Sequence, residues 1–303
     1  MTVERRKYVL QHPVYTLEGK ELLPAGAELT EKILKGLSKQ GKTNDNRMVR
    51  LLEYGTIRRD LLDSFSHPPY DVIFSPPERT AAILEIMTNV RLMIPVLECL
   101  EYFKQEDFYT YRHMLLVFAL SILLGLELRK DDLDFMNGAL VSPAHDFGKI
   151  CVPSEVLKKN HPLKRTEWQI LEHHTLAGYV LLKYYNDRPL SAMVARDHHE
   201  RRNSSGYPLG ISLNDPMVEI VVVCDIFDAL MSPRPYRPNN YDNRSALEEI
   251  CEQAKRGELS LDVVKALVAC NRKSKPHYTQ CALSKETRGT PPAGNNYGIV
   301  VED

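Results

Sequence analysis

No stretch constrains this chain more than AHDFGK, residues 144 to 149, where His145 and Asp146 stand side by side. Neighbouring side chains on a helix diverge by about 100°, so both serve one centre only if that centre lies against the segment itself. A divalent cation makes such a demand. Imidazole nitrogen and carboxylate oxygen suit iron-, zinc- and manganese-class ions, and a pair of such residues can bridge two of them. Alone, the dipeptide reads better as a surface histidine beside a capping aspartate. It gains weight only if further histidines fall on apolar helix faces.

They do. In YRHMLLVFALSILLGLEL, His113 recurs with Leu116, Val117, Leu120 and Leu124 at helical spacing, on the stripe that faces a core. RTEWQILEHHTLAGYVLL opens with Thr166 and Gln169 spaced as a capping box. It sets Ile170, His174, Ala177 and Leu181 on one face, and His173 points elsewhere, toward solvent. RDHHERRNSSGYPLG runs His198-His199 into a Gly-Tyr-Pro loop. MVEIVVVCDIFDAL places Val218, Val221, Val222 and Asp225 together, with Asp228 at i+3. By β-propensity VVVC also suits a strand; the helical neighbours favour helix. Five imidazoles and two carboxylates on apolar faces are costly to bury unpaired, and coordination to two cations satisfies them. Mixed nitrogen and oxygen donors without thiolate suit iron, or manganese, better than a structural zinc. Two ions sharing a carboxylate would lower the pKa of a bridging water and clamp a phosphoryl group, which points to a phosphohydrolase.

Composition bounds the rest. The 39 Lys and Arg against 40 Asp and Glu give a formal charge of -1, with no global field to hold a long nucleic acid. Six scattered cysteines without CxxC spacing read as reduced thiols of a cytoplasmic protein. With no apolar leader and no run of about 18 uncharged apolar residues, neither secretion nor a membrane span is expected.

Four regions are predicted: a small α+β regulatory or dimer-forming module over 1–42, a helical linker region over 43–94, a mainly α, all-helical bundle over 95–282 and a disordered tail over 283–303. Hairpin chemistry marks Glu18-Gly19 and Pro24-Ala25-Gly26, and Thr30 caps a helix ending at Gly41. Ser75, Pro76 and Glu78 look like a helix start, and the helix they open is interrupted at Pro95. His12, His67, His161 and His277 read as loop histidines.

HDFGKICVPSEVLKKNHPLKRTEW, HHTLAGYVLL, HHERRNSSGYPLG and CDIFDALMSPRPYRP together resemble the HD-GYP family, the cyclic-di-GMP phosphodiesterase branch of the HD superfamily, over roughly residues 95 to 270. The resemblance implies an HD-type bundle with metal ligands at His113, His145, Asp146, His174, His198, His199 and Asp225. Asp146 would bridge two divalent ions, iron or manganese. Lys149, in HD-x-x-K, would contact the scissile phosphate; Arg234 and Arg237 would hold substrate phosphates; and Gly206, Tyr207 and Pro208 would border the site. The implied reaction is attack by a metal-bridging hydroxide on cyclic di-GMP, giving pGpG or GMP, with a mixed cyclic dinucleotide as alternative substrate. Three departures stand out. Tyr109 replaces a glutamate that supplies a third metal in some members, Asn203-Ser204 replaces Asp-Gly in the GYP motif, and Ser142-Pro143 precedes the HD pair, where a proline would kink a helix end. Tyr109 implies a two-metal site, and Asn203-Ser204 and Pro143 favour the alternative of a weakly active or inactive protein that signals by binding cyclic di-GMP or a protein partner. The complete ligand set favours the enzyme.

Overall fold

A computed structural model describes residues 8–41, 47–129, 142–159, 161–185, 188–232, 240–284, 289–292 and 300–302. The fold is mainly α. Its first unit is the expected small α+β element: β1 (Val14–Tyr15) and β2 (Glu21–Leu23) pair antiparallel with Val14 opposite Leu23, and α1 (Glu31–Gly41) follows. The Thr30 hydroxyl accepts from the Ile33 N–H at 3.3 Å, satisfying one amide that the first helical turn leaves open. Leu10, Val14 and Leu37 join the same apolar cluster as the later helices, and Lys20 donates to the Tyr184 hydroxyl at 2.9 Å.

Next, β3 (Met48–Arg50) and β4 (Arg91–Met93) pair antiparallel, drawing together the ends of a segment that holds α2 (Ile57–Phe65), α3 (Tyr70–Ile73) and α4 (Pro77–Asn89). Ser75 does not cap α4: Pro76 takes the cap position, Pro77 is the first helical residue, and the Ser75 hydroxyl donates to the Val72 carbonyl at 2.9 Å. Nor does the helix run on to Pro95. It stops at Asn89, β4 intervenes, and Pro95 opens α5 (Ile94–Glu106), where its missing N–H costs nothing.

The bundle is built on α6 (Phe108–Arg129), buried from Thr110 to Gly125 except Arg112. By length and composition α6 could cross a membrane, but 78% of its apolar window is buried inside the fold, as suits a core helix that is apolar all round. Two 3₁₀ turns, Ser142–Ala144 and Phe147–Cys151, flank the HD pair. Then come α7 (Ser154–Leu157), β5 (Leu163–Lys164), α8 (Arg165–Glu172), α9 (His174–Tyr184), α10 (Pro189–Asp197), α11 (Pro216–Met231), α12 (Asn243–Lys255) and α13 (Leu261–Asn271). The start of α8 lies two residues earlier than Thr166–Gln169 predicts: Glu167 accepts from the Lys164 N–H at 2.8 Å.

VVVC lies within α11 and is helical. Asp215 caps that helix by accepting from Met217 N–H at 2.9 Å and Val218 N–H at 3.1 Å, Pro216 presets its first turn, and Met217 to Leu230 are buried. Packing on every side outweighs a β-propensity difference whose whole scale spans about 1 kcal/mol, since each buried Val, Ile or Phe contributes roughly 1.5–3 kcal/mol. Within the stretch read as a tail, β6 (Val300–Val301) pairs parallel with β5, Leu163 opposite Val300.

Candidate metal centre

Helix α6 packs on α11, and α9 packs on α10 and on the 3₁₀ turn after the HD pair. Between them all seven predicted ligands converge. The close approach of the HD turn to α9 needs Gly148, because a Cβ there would collide with the backbone of His174 and Gly178. His145 and Asp146 lie in the turn between the two 3₁₀ elements. Pro143 therefore kinks no α-helix; it sits inside the first 3₁₀ turn and is buried.

Asp146 is the centre of the arrangement. Its Oδ2 lies 3.4 Å from His145 Nε2 and 3.6 Å from His113 Nε2, and its Oδ1 lies 3.5 Å from His174 Nε2 and 3.7 Å from His198 Nε2. Asp225 faces His113 Nε2 at 3.0 Å through Oδ1 and His199 Nδ1 at 4.0 Å through Oδ2. Two clusters result, His113–His145–Asp146 and His174–His198–His199, each with its donor atoms within 4.8 Å of one another. Two donors about 2.1 Å from one cation lie roughly 3.0–3.4 Å apart at ordinary coordination angles. The Nε2–Nε2 separations, 3.4 Å for His145–His113 and 3.2 Å for His174–His198, match that spacing.

The far sides of the rings are equally ordered. His174 Nδ1 meets the Leu171 carbonyl at 2.6 Å, His198 Nδ1 the Ala195 carbonyl at 3.0 Å, and His113 Nδ1 the Asp228 carboxylate at 2.6 Å. An acceptor at Nδ1 keeps the proton there and turns the Nε2 lone pair inward, as metal-ligating histidines require. Burial pulls His174 down to about 3 and His199 well below the usual imidazole range, and it lowers His145 as well. Burial raises Asp146, yet Lys149 and His145 hold it well below the carboxylate range; Asp225 is held down against burial chiefly by His113. His113 runs the other way. Burial depresses it, but hydrogen bonds to Asp225 and Asp228 outweigh that and lift it to about 9, so the carboxylates draw positive charge to this spot.

Lys149 is buried, its ammonium 2.6 Å from Asp146 Oδ2. In the GYP loop, Gly206 lies where a Cβ would strike the backbone of His199, Glu200 and Arg201, and the ring of Tyr207 stacks on His199 with centroids 4.6 Å apart. Pro208 follows in the same loop. Arg234 and Arg237 lie outside the described residues. Tyr109, in place of a glutamate, stacks on His113. Asn203 is exposed and accepts from the Ser205 hydroxyl at 2.7 Å, so it serves the loop rather than a ligand; Ser204 has φ +64, a left-handed backbone suited to glycine. The exposed position expected for His173 is corrected: it points away from the ligands but is buried, with His12 edge-on at 5.4 Å. Burial and the nearby His12 push it down to about 4.

Sequence reasoning missed Asp228 as a partner of His113, although it stood one helical turn from Asp225. It missed Tyr70, which donates to Asp228. It also missed Glu200, fully buried, which accepts from Leu209 N–H at 2.6 Å and Ile211 N–H at 3.0 Å and so anchors the GYP loop.

A histidine–aspartate centre of this layout in a helical bundle defines an HD-type metal-binding domain. The sequence model described as HD domain matches residues 103–260, just over half of the chain, and the chain belongs to that family. It is 35% identical over 162 residues to a cyclic di-GMP phosphodiesterase of Thermotoga maritima, covering 52% of this chain and 43% of the relative. It is 34% identical over 139 residues to one of Pseudomonas aeruginosa, covering 44% and 33%. It is 28% identical over 166 residues to a 3'3'-cGAMP-specific phosphodiesterase of Vibrio cholerae, covering 53% and 36%. The chain thus spans less than half the length of the curated relatives it matches.

Proposed function

We propose that this chain is a phosphodiesterase that opens the ring of a cyclic dinucleotide, cyclic di-GMP, using two divalent cations, iron or manganese. The observation that carries the reading is Asp146, whose two oxygens face two separate pairs of imidazole Nε2 atoms. His113, His145, Asp146 and Asp225 would hold one cation and His174, His198 and His199, with Asp146, the other. Such a pair supplies Lewis acidity and an acidified water for in-line displacement at phosphorus. The rest falls to the chain itself. Lys149, buried at the carboxylate, offers a positive charge to the phosphoryl oxygens as negative charge develops. Tyr207, stacked on His199, walls one side of the site and limits how a base or ribose can lie against it. The relatives named for cyclic di-GMP support that substrate, and the Vibrio relative makes 3'3'-cGAMP the comparison to run beside it.

Protein purified anaerobically with iron or manganese should carry two ions per chain and convert cyclic di-GMP to a linear product on chromatography. Two bound ions with no linear product from either dinucleotide would sink the enzymatic reading.

A further inference from the structure

The shell behind His113 reaches outside the matched domain. His113 Nδ1 meets Asp228 Oδ2 at 2.6 Å, and the other oxygen of Asp228 accepts from the hydroxyl of Tyr70. Tyr70 belongs to α3, in the segment closed off by β3 and β4, well before the matched residues 103–260. It is 1% exposed and Asp228 is fully buried. The ring is fixed by Phe74 and by Phe227 of α11, each with centroids 6.4 Å away. Ser232 makes a longer contact to the oxygen that already serves His113, at 3.3 Å, whereas Asp228 Oδ1 takes its hydrogen bond from the hydroxyl of Tyr70. A buried carboxylate oxygen stripped of its donor has no water to turn to, and the carboxylate is then freed to rotate away from the imidazole it orients.

We propose that Tyr70 is a positioning residue of the metal centre: acting through Asp228, it fixes the ring of His113 and thereby sets the cation affinity of the His113–His145–Asp146 cluster. The inference rests on the metal-centre reading above. It makes the segment between β3 and β4 part of the site's outer shell, so a displacement of α3 would be felt at one cation and not directly at the other, whose ligands are held by backbone carbonyls of α8 and α10.

The test is a manganese titration of the full-length, metal-stripped chain by calorimetry, in wild type, Tyr70→Phe, Asp228→Asn and the double variant. Tyr70→Phe keeps the ring and its packing. One of two sites should weaken about tenfold and the other stay unchanged; Asp228→Asn should weaken the same site by about a hundredfold, the upper end for an outer-shell partner. In the Asp228→Asn background, Tyr70→Phe should add nothing, because it acts through that carboxylate. Wild-type affinities at both sites of Tyr70→Phe would overturn the inference and leave the proposed function standing. Equal weakening of both sites, or additive effects in the double variant, would show a merely structural role and overturn it too. Wild type that binds neither manganese nor, in the same titration run anaerobically, ferrous iron would overturn both readings.

Discussion

Two carboxylates in this protein, half-buried Asp60 and fully buried Asp146, gather polar partners in different ways. Asp60, on α2, collects donors: Lys104 at 2.7 Å, the Tyr111 hydroxyl at 2.8 Å and the Thr56 hydroxyl at 2.6 Å all reach its Oδ2. Burial alone would raise Asp60, but the hydrogen bonds from Lys104, Thr56 and Tyr111 prevail and bring it to about 2. That knot is closed, and it ties the linker region to α5 and α6. Asp146 takes a short contact of 2.6 Å from the Lys149 ammonium. Its other close neighbours are imidazole nitrogens, three of them on rings whose far sides are already committed to acceptors. Neutral rings that keep their proton at Nδ1, as the carbonyls facing His174 and His198 favour, can turn Nε2 lone pairs toward the carboxylate, an arrangement a cation between them completes. A carboxylate saturated by fixed donors holds a fold together, whereas one ringed by imidazoles that can present Nε2 lone pairs has room for a cation.

Substitutions should separate the two. Asp146→Asn should cost the most in function, lowering turnover and metal content by at least about a hundredfold, measured by product chromatography and metal analysis. Retained metal would erase the contrast with Asp60. Next, cation at about a hundred times its dissociation constant should stabilise the wild type by about 2.7 kcal/mol per site. The same increment should survive in Asp60→Asn and vanish in Asp146→Asn, in denaturant melts with and without chelator. Asp60→Asn should itself cost about 2 kcal/mol at neutral pH, the scale of a charge-assisted hydrogen bond.

That cost is pH-dependent, with a sign set by a depressed carboxylate. The stabilisation from Asp60 is fully present above its ordinary value of 3.8 and is lost as pH falls through about 2. The difference between wild type and Asp60→Asn should therefore shrink across that window; a gap that widened on acidification would contradict the closed knot. The smallest effect belongs to Ser204→Gly, which relieves the left-handed backbone at φ +64 and should stabilise by about 0.5–1 kcal/mol without touching a ligand.

Part of the centre was legible because three of the candidate ligands, His113, His174 and Asp225, sit on helices, and a period of 3.6 residues reports which side chains share a face. His113 with Leu116 and Leu120, and His174 with Ala177 and Leu181, follow from that arithmetic alone. His173 shows its limit. The period put it off the ligand face, which holds, but its burial comes from the N-terminal unit folding over that side and bringing His12 against it. Helix starts expected at Ser75 and Thr166 fall one and two residues away, at Pro76 and Lys164, neither of which is a capping side chain, and helix ends drift by that much when no side-chain cap fixes them.

The order of motifs and the side chains they carry were determined by the sequence itself: two histidine-bearing helix faces, the His145-Asp146 pair, and the carboxylate of Asp225 in an apolar helix. What only the tertiary structure decided is which atoms of those side chains meet. That Asp146 turns one oxygen to each cluster, and that Tyr70 reaches Asp228 from 158 residues away, depends on contacts between distant segments. Such distances and ring orientations are set by how helices pack against one another, and no local period encodes them.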